Sequence, residues 1–396
     1  MSTRNTRKSK YDPEDNKKSA DGKSIRVKKT IVYEEDEQGN ITIISSGNTD
    51  PEEAYRIVST YSPILHGKAT DTIARMNGRQ ARPNPLNNTA SLDKDDVKLL
   101  IKNLDTLSGT LGVSTHKLLS TAIAEFTAEN HTDGEERSLR QAKVSIPLRE
   151  YAIKCGCDIT EHPTFTPEEA EQEAKRAKRA LDNFRRKVKK DLELLYNASV
   201  SWKETVRGNE RDFAEVRILG GMGLKSGYIT LEFTVTMAEY LIQLPLTQYP
   251  QALLKLDERN SNSYNIGLKM SEHYSNYNNQ IRGTAQLLKV ETLLRYTDLP
   301  TIETIREQRT SWEARIKEPL EKALDILTEC GLLEDWRYSL KKGAELSDDQ
   351  LEELTNYRTW AEKLIWFKLR NAPDLIKKLP DKNAGKTPKK GKKSKD

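Results

Sequence analysis

Apolar positions along the chain follow two rhythms. Spacings of three and four predict helices: Leu118, Leu119, Ala122, Ile123 and Phe126 share one face of 114–130. A longer stretch opens at Thr166–Pro167, an N-cap followed by proline at the first helical position and then acidic residues. It carries Ala170, Ala174, Ala177, Leu181, Phe184, Val188, Leu192 and Leu195. Ile266, Met270, Tyr274 and Tyr277 mark a third helix, and Trp312, Ile316, Leu320, Leu324 and Leu327 a fourth over 311–330, ended by Gly331. LREYAIKCG, closed by Gly156, and KVETLLRY read as short helices. The same rhythm at Val97, Leu100, Ile101 and Leu104, behind an N-cap at Ser91 and the acidic turn LDKDD, places the start of the folded part in a helix. Runs rich in β-branched and aromatic residues predict strands at KVSIPL, SVSW, RDFAEVRIL, YITLEFTV, LLEDWRYS and AEKLIWFKL. Residues 30–47 (TIVYEEDEQGNITIISSG) read as a hairpin. Residues 62–90, with Pro63, Pro83 and Pro85 and little periodicity, read as a linker.

Two units repeat one order. SIPLREYAIKCG followed by NFRRKVKKDLELLYNASVSW runs parallel to LLKVETLLRYTDLP followed by SWEARIKEPLEKALDILTECGLLEDW. Leu192 and Leu195 correspond to Leu324 and Leu327, and Trp202 to Trp336. Helix, helix, helix and β-hairpin is the winged-helix order, a helix-turn-helix variant whose third helix fits a major groove. The expected fold class is therefore mainly α with small β-hairpins, in tandem winged-helix domains with disordered basic termini. The expected division is an N-terminal extension and linker (1–90), a first winged helix (91–250), a second (251–378) and a Lys-rich tail (379–396).

Composition supports solvated ends. Of 396 residues, 35% are hydrophobic and 32% charged, too polar for one globule of that length. Residues 1–30 hold ten Lys/Arg against four Asp/Glu, and residues 382–396 hold seven lysines. No apolar run reaches the roughly 18–20 residues that cross a bilayer, and the N-terminus has no apolar signal core. Three cysteines make no disulfide framework. A cytoplasmic location is expected.

The arrangement resembles the plasmid-type replication initiators. The segments that carry the likeness are YNIGLKMSEHYSNYNN, LLKVETLLRYTDLP and TSWEARIKEPLEKALDILTECGLLEDW, with FRRKVKKDLELLYNASVSWKE and RDFAEVRILGG in the first unit. It covers about residues 95–375 and rests on helix order and apolar spacing. The resemblance implies that the second winged helix reads origin repeats and that 311–322 is the main recognition helix. It implies further DNA contacts and homodimer formation through the first unit, and host replication proteins as partners. The N-terminal extension departs from the minimal family pattern.

Charge gives independent candidates. Residues 175–190 contain nine Lys/Arg and one carboxylate, Asp182, where solvated faces ordinarily mix signs. Lys175, Arg179, Arg186 and Lys190 lie opposite Leu181, Phe184 and Val188, with Arg185 and Lys189 flanking, a stripe suited to a phosphate backbone. On the later helix Thr310, Ser311 and Arg315 lie where groove-entering helices meet bases, and Lys317 and Lys322 are phosphate candidates. Trp312 reads as core, and Pro319 as a kink or a true first turn. Arg337, Lys341 and Lys342 are the wing candidates, with a plain exposed hairpin as the competing reading.

Enzymatic constellations are missing from the pattern. His66, His116, His131, His162 and His273 never sit two apart, as a nickase metal pair requires. GGMGLKSG lacks both a Walker A ending and GxGxxG spacing and reads as a hairpin turn. Cys155 and Cys157 lack a second pair at zinc spacing and read as free thiols, and His273 as a satisfied core histidine. No cofactor and no metal is expected. The expected function is sequence-specific binding of double-stranded DNA at an origin, without strand cleavage. The alternatives are a transcriptional regulator on the same scaffold and a helical adaptor for an acidic protein.

Overall fold

Residues 97–102 alternate buried and exposed side chains, a period of two that belongs to a strand. Val97, Leu99 and Ile101 turn into the core while Lys98 and Lys102 turn out. The computed structural model describes residues 31–35, 41–45, 61–76, 81–103, 111–130, 139–159, 166–206, 209–340, 343–347, 350 and 353–372. The hairpin expected over 30–47 is present as β1 (Ile31–Glu35) and β2 (Ile41–Ser45). The expected basic tails at 1–30 and 379–396 lie outside the described residues.

The expected linker is structured. β3 (Tyr61–Leu65) and α1 (Lys68–Ile73) come first, then β4 (Arg82–Asn84), β5 (Thr89–Lys94) and β6 (Val97–Lys102). The prolines fit because they sit on edges: Pro83 is on edge strand β4, and Pro63 is in a sheet of two strands only. Asp95 and Asp96, at φ 52° and 60°, make the two-residue turn between β5 and β6. Two more strands, β8 (Ala198–Val206) and β9 (Asn209–Arg217), complete an antiparallel sheet in the order β4-β5-β6-β8-β9.

The helices behave largely as their spacing requires. α2 (Val113–Asn130) buries Leu118, Leu119, Ala122, Ile123 and Phe126. It is followed by β7 (Lys143–Pro147), α3 (Leu148–Lys154) and the 30-residue α4 (Pro167–Tyr196). After β8 and β9 come β10 (Leu219–Lys225), β11 (Tyr228–Phe233) and α5 (Val235–Leu241). The turn of GGMGLKSG is Ser226–Gly227 between β10 and β11, at φ 54° and 80°, so that motif is a hairpin. β12 (Leu246–Pro250) leads to α6 (Ser261–Ser275), where Asn276 caps a separate short helix α7 (Tyr277–Ile281). Then follow β13 (Leu287–Lys289), α8 (Val290–Leu294), α9 (Ile302–Gln308), α10 (Glu318–Glu329), β14 (Leu333–Ser339), α11 (Tyr357–Ala361) and β15 (Leu364–Leu369).

An internal repeat of connectivity exists. In β10-β11-β7 and β14-β15-β13 the last strand in sequence is central and the first pairs antiparallel to it. The Trp202–Trp336 correspondence does not hold. Trp336 lies on β14, whose counterpart is β10, whereas Trp202 lies on β8 of the five-stranded sheet.

The expectation of a mainly α chain of tandem winged helices with small hairpins is corrected. The architecture is mixed α/β, with antiparallel sheets of up to five strands among the described residues. The misreading has a local cause: Val97, Leu100 and Ile101 stand at helical spacings, whereas the strand buries Val97, Leu99 and Ile101 and pairs with β5 and β8. Among the described residues no helix is long and apolar enough to cross a membrane.

One apolar cluster runs through both units, with Phe126 edge-on to Phe233 at 5.4 Å and Trp202 stacked on Phe213 at 4.2 Å. His116 is buried within it, stacked 6.4 Å from Tyr264. Burial, helped by the Lys94 charge, pushes its pKa down to about 3, against a weaker pull from the Met76 backbone. The folded chain therefore keeps this imidazole neutral while the unfolded chain protonates it near pH 6.5. Its contribution is whole above pH 6.5 and is lost as the pH falls toward 3. Urea titrations of His116→Leu across pH 7 to 4 should show a shallower acid loss of stability than the parent. An unchanged slope would exclude a neutral buried imidazole.

Candidate nucleic-acid interface

α4 is divided lengthwise. Thr166 accepts from the Glu169 N–H and Glu169 reaches back to the Thr166 N–H, a complete capping box ahead of Pro167. The inner edge buries Ala177, Val188, Leu192, Leu194 and Leu195, and Phe184 meets Tyr151 at 5.6 Å. Asp191 is also buried and accepts from the hydroxyls of Ser114 (2.9 Å) and Thr115 (2.6 Å). Burial raises its pKa, and these bonds oppose the rise.

The outer edge carries the expected stripe. Lys175, Arg179, Arg185, Arg186, Lys189 and Lys190 are all exposed. Lys175 pairs with Glu171 at 2.6 Å and Lys189 with Glu193 at 3.8 Å, while Arg186 donates to Asn183. Arg179, Arg185 and Lys190 have no ion pair among the described residues. Two other cations of the run turn aside: Arg176 pairs with Asp158 and Glu173, and Lys187 with Glu258 ahead of α6. Separations of three and four at 1.5 Å per residue give the stripe a length of about 20 Å.

The later helix begins differently from its expected form. Residues Glu313–Lys317 form a π-helical turn running into α10, in which Pro319 occupies the first turn. Proline has no N–H for the Arg315 carbonyl and would clash with it in a regular helix, so the widened turn accommodates it. Thr310, Ser311, Arg315 and Lys322 are exposed, and Lys317 is half-buried. Trp312 packs on Tyr357 (5.5 Å) and Trp360 (5.3 Å), so it is a packing residue. This helix mixes signs, since Glu318, Asp325 and Glu329 are exposed on it as well.

Arg337 is engaged within its own hairpin. Its guanidinium lies 3.9 Å over the Trp366 ring, with Asp335 at 3.5 Å and Glu345 at 3.4 Å. Lys341 and Lys342 lie outside the described residues. His273 accepts and donates locally, with Thr284 O and Asn279 Nδ2 each at 3.0 Å, as a satisfied histidine does. Cys155 and Cys157 are free thiols.

Sequence reasoning missed a cleft of about 440 Å³ beside Thr310 and Trp312. Arg306, Arg309 and Arg358 converge on it with Tyr357 and Asn356. Arg309 holds left-handed backbone (φ 54°) to turn the chain from α9 toward the π turn. Arg358 pairs with Glu362 at 3.6 Å, whereas Arg306 and Arg309 have no ion pair among the described residues. The run IREQRTSW signals the first two arginines; the third arrives only through the fold.

No protein-family profile and no curated protein matches the chain.

Removing the cap tests how α4 is held. Thr166→Ala should lower stability by about 1 kcal/mol in urea unfolding. Amide exchange should quicken over 167–171 and stay slow over 188–195, where the helix is packed. Faster exchange along the whole helix would mean that its inner edge does not anchor it.

Proposed function

We propose that this protein binds double-stranded DNA sequence-specifically at a replication origin and acts there as a plasmid-type initiator, in the cytoplasm, without cutting a strand. The observation that carries the reading is the outer edge of α4, where Arg179, Arg185 and Lys190 stand exposed without an ion pair among the described residues, in a run of nine Lys/Arg to one carboxylate. A face meant only for solvent gains stability by mixing signs at i,i+4, and of the six exposed cations of the stripe only Lys175 and Lys189, toward the two ends of the run, take such partners. The Arg306–Arg309–Arg358 cleft adds a second cationic surface beside Thr310 and Trp312. In this reading α4 tracks phosphates, and Thr310, Ser311 and Arg315 meet base edges. Binding energy goes into positioning and distorting the duplex for host replication proteins.

Maintenance of an origin-less replicon by this gene with its flanking DNA tests the initiator role. Failure, with operator binding and promoter control instead, would make it a regulator. Binding to duplex should fall by roughly 10³–10⁵ between 50 and 200 mM salt, as six to ten phosphate contacts require. Arg186→Gln with Lys190→Gln should weaken all duplexes alike and reduce the salt slope by about two units. Arg315→Ala should lose about 1–3 kcal/mol on the cognate site only. A flat salt dependence would remove DNA binding and favour an acidic protein partner.

The proposal also expects intact strands. Supercoiled plasmid bearing the site, incubated with protein and Mg²⁺ or Mn²⁺, should yield neither open circles nor a covalent adduct. A phosphotyrosine adduct would move the protein to the nickases.

A further inference from the structure

Residues 61–76 cross from one unit to the other. β3 pairs with β12, the strand between the units, and Tyr61 donates to the Arg370 carbonyl at the end of β15. Arg75 lies 4.3 Å over the Tyr296 ring, beyond α8, and Lys269 of α6 lies 4.8 Å over the same ring. Where this segment meets α6, ligand atoms of His66, Asp71 and Glu272 all fall within 4.8 Å of one another. The geometry points to a divalent transition-metal site here, of the zinc or manganese kind, that joins the two units.

Four observations carry the assignment. First, the ligand chemistry is mixed, one imidazole and two carboxylates, which suits zinc or manganese rather than magnesium. Second, each carboxylate is already oriented through one oxygen. Arg75 holds Asp71 Oδ2 at 2.7 Å and Lys269 holds Glu272 Oε2 at 2.8 Å, which leaves Asp71 Oδ1 and Glu272 Oε1 for an ion. Such outer partners commonly fix ligating carboxylates.

Third, His66 Nε2 lies 3.6 Å from Glu272 Oε1, long for a hydrogen bond. Two ligands at tetrahedral angles on an ion with bonds of 2.0–2.2 Å stand about 3.3–3.6 Å apart. Fourth, the three groups border a cavity of about 40 Å³, enough for one ion or water. Thr247 Oγ1 and Gln248 Oε1 line this cavity, and both atoms are buried without a hydrogen-bond partner. Gln248 Oε1 is the proposed fourth ligand, since it is buried, unpartnered and carried by a residue of the same lining.

The charges permit it. Asp71, Glu272 and Asp95 face Arg75, Lys269 and Lys94, and Asp95 takes Arg75 at 3.0 Å. A metal ion at His66 takes the place of the proton that Glu272 and Asp71 favour there. The site is structural. Tyr249 on its wall is buried, so no phenol there can reach a DNA strand. The inference does not depend on DNA binding.

Full-length protein freed of metal with a chelator should bind one Zn²⁺ per chain by calorimetry, and one Co²⁺ with visible bands lacking thiolate charge transfer. Zinc should raise the thermal midpoint, because it binds the folded chain alone. His66→Gln and Glu272→Gln, each checked for native circular dichroism, should weaken Zn²⁺ at least tenfold and abolish the cobalt bands. Cys155→Ser with Cys157→Ser should leave both unchanged, and Mg²⁺ should not compete. Three results would overturn the site: no stoichiometric zinc, parental affinity in both substituted proteins, or loss of binding on cysteine replacement.

Discussion

The pairing of residues 61–65 with 246–250 is the constraint on which the remaining structure depends. It is antiparallel over the full length of both strands and draws a segment near the start of the chain onto the strand between the units. Everything that crosses the junction is set by it. Leu65 donates its N–H to the Thr127 hydroxyl of α2, and Ala69 N–H reaches the Tyr240 hydroxyl on α5. Tyr240 in turn donates to Glu204 of β8, which also accepts from the Lys68 N–H. Burial, with Glu204 beside it, raises the Tyr240 pKa well beyond the ordinary phenol value, so the hydroxyl stays protonated and can bridge. A two-stranded sheet is marginal alone and needs packing on both sides. Here α2 and α6 supply it, and those helices belong to different units.

The same junction exposes a buried cation. Lys117 of α2 donates to the Leu256 carbonyl ahead of α6, and burial brings its pKa down to about 8. A buried ammonium is tolerated only when strongly hydrogen-bonded. The first unit thus depends on a backbone group of the connecting segment, and Lys187 repeats the dependence through Glu258. α4 is divided accordingly: Lys187 is taken up by the connecting segment, while Arg179, Arg185 and Lys190 on the outer edge have no ion pair among the described residues.

How much of this could be read from the chain depends on how far apart the deciding residues lie. The start of α4, its apolar edge and its charged face were legible, because capping, period and charge all sit within 30 consecutive residues. The stretch from Ser91 reads as helix because Val97, Leu100, Ile101 and Leu104 stand three and four apart, while the period of two through Val97, Leu99 and Ile101 is the one the structure follows. The strand β6 is flanked on one side by its hairpin partner β5 and on the other by β8, about a hundred residues later. Pro63 and Pro83 suggested a linker, yet edge positions accept proline, and edges are invisible before the sheet is known. His66 looked isolated for the same reason: Glu272 reaches it only through the β3–β12 pairing.

Pro319 shows how one residue sets a surface that a periodic reading cannot locate. An extra residue in the turn rotates everything before it by about 100° relative to everything after. Arg315 and Lys322, seven apart, would share a face in a regular helix. With Arg315 inside the π turn that relation is broken, and Lys322 lies on α10 among the exposed Glu318, Asp325 and Glu329. At the α9 end Arg306 and Arg309 present positive charge across the Thr310–Trp312 corner, and Arg358 arrives from α11. The cationic surface of the second unit is therefore a corner between two helices. Its aromatic floor, Trp312 on Tyr357 and Trp360, fixes the corner as firmly as the apolar edge of α4 fixes the stripe.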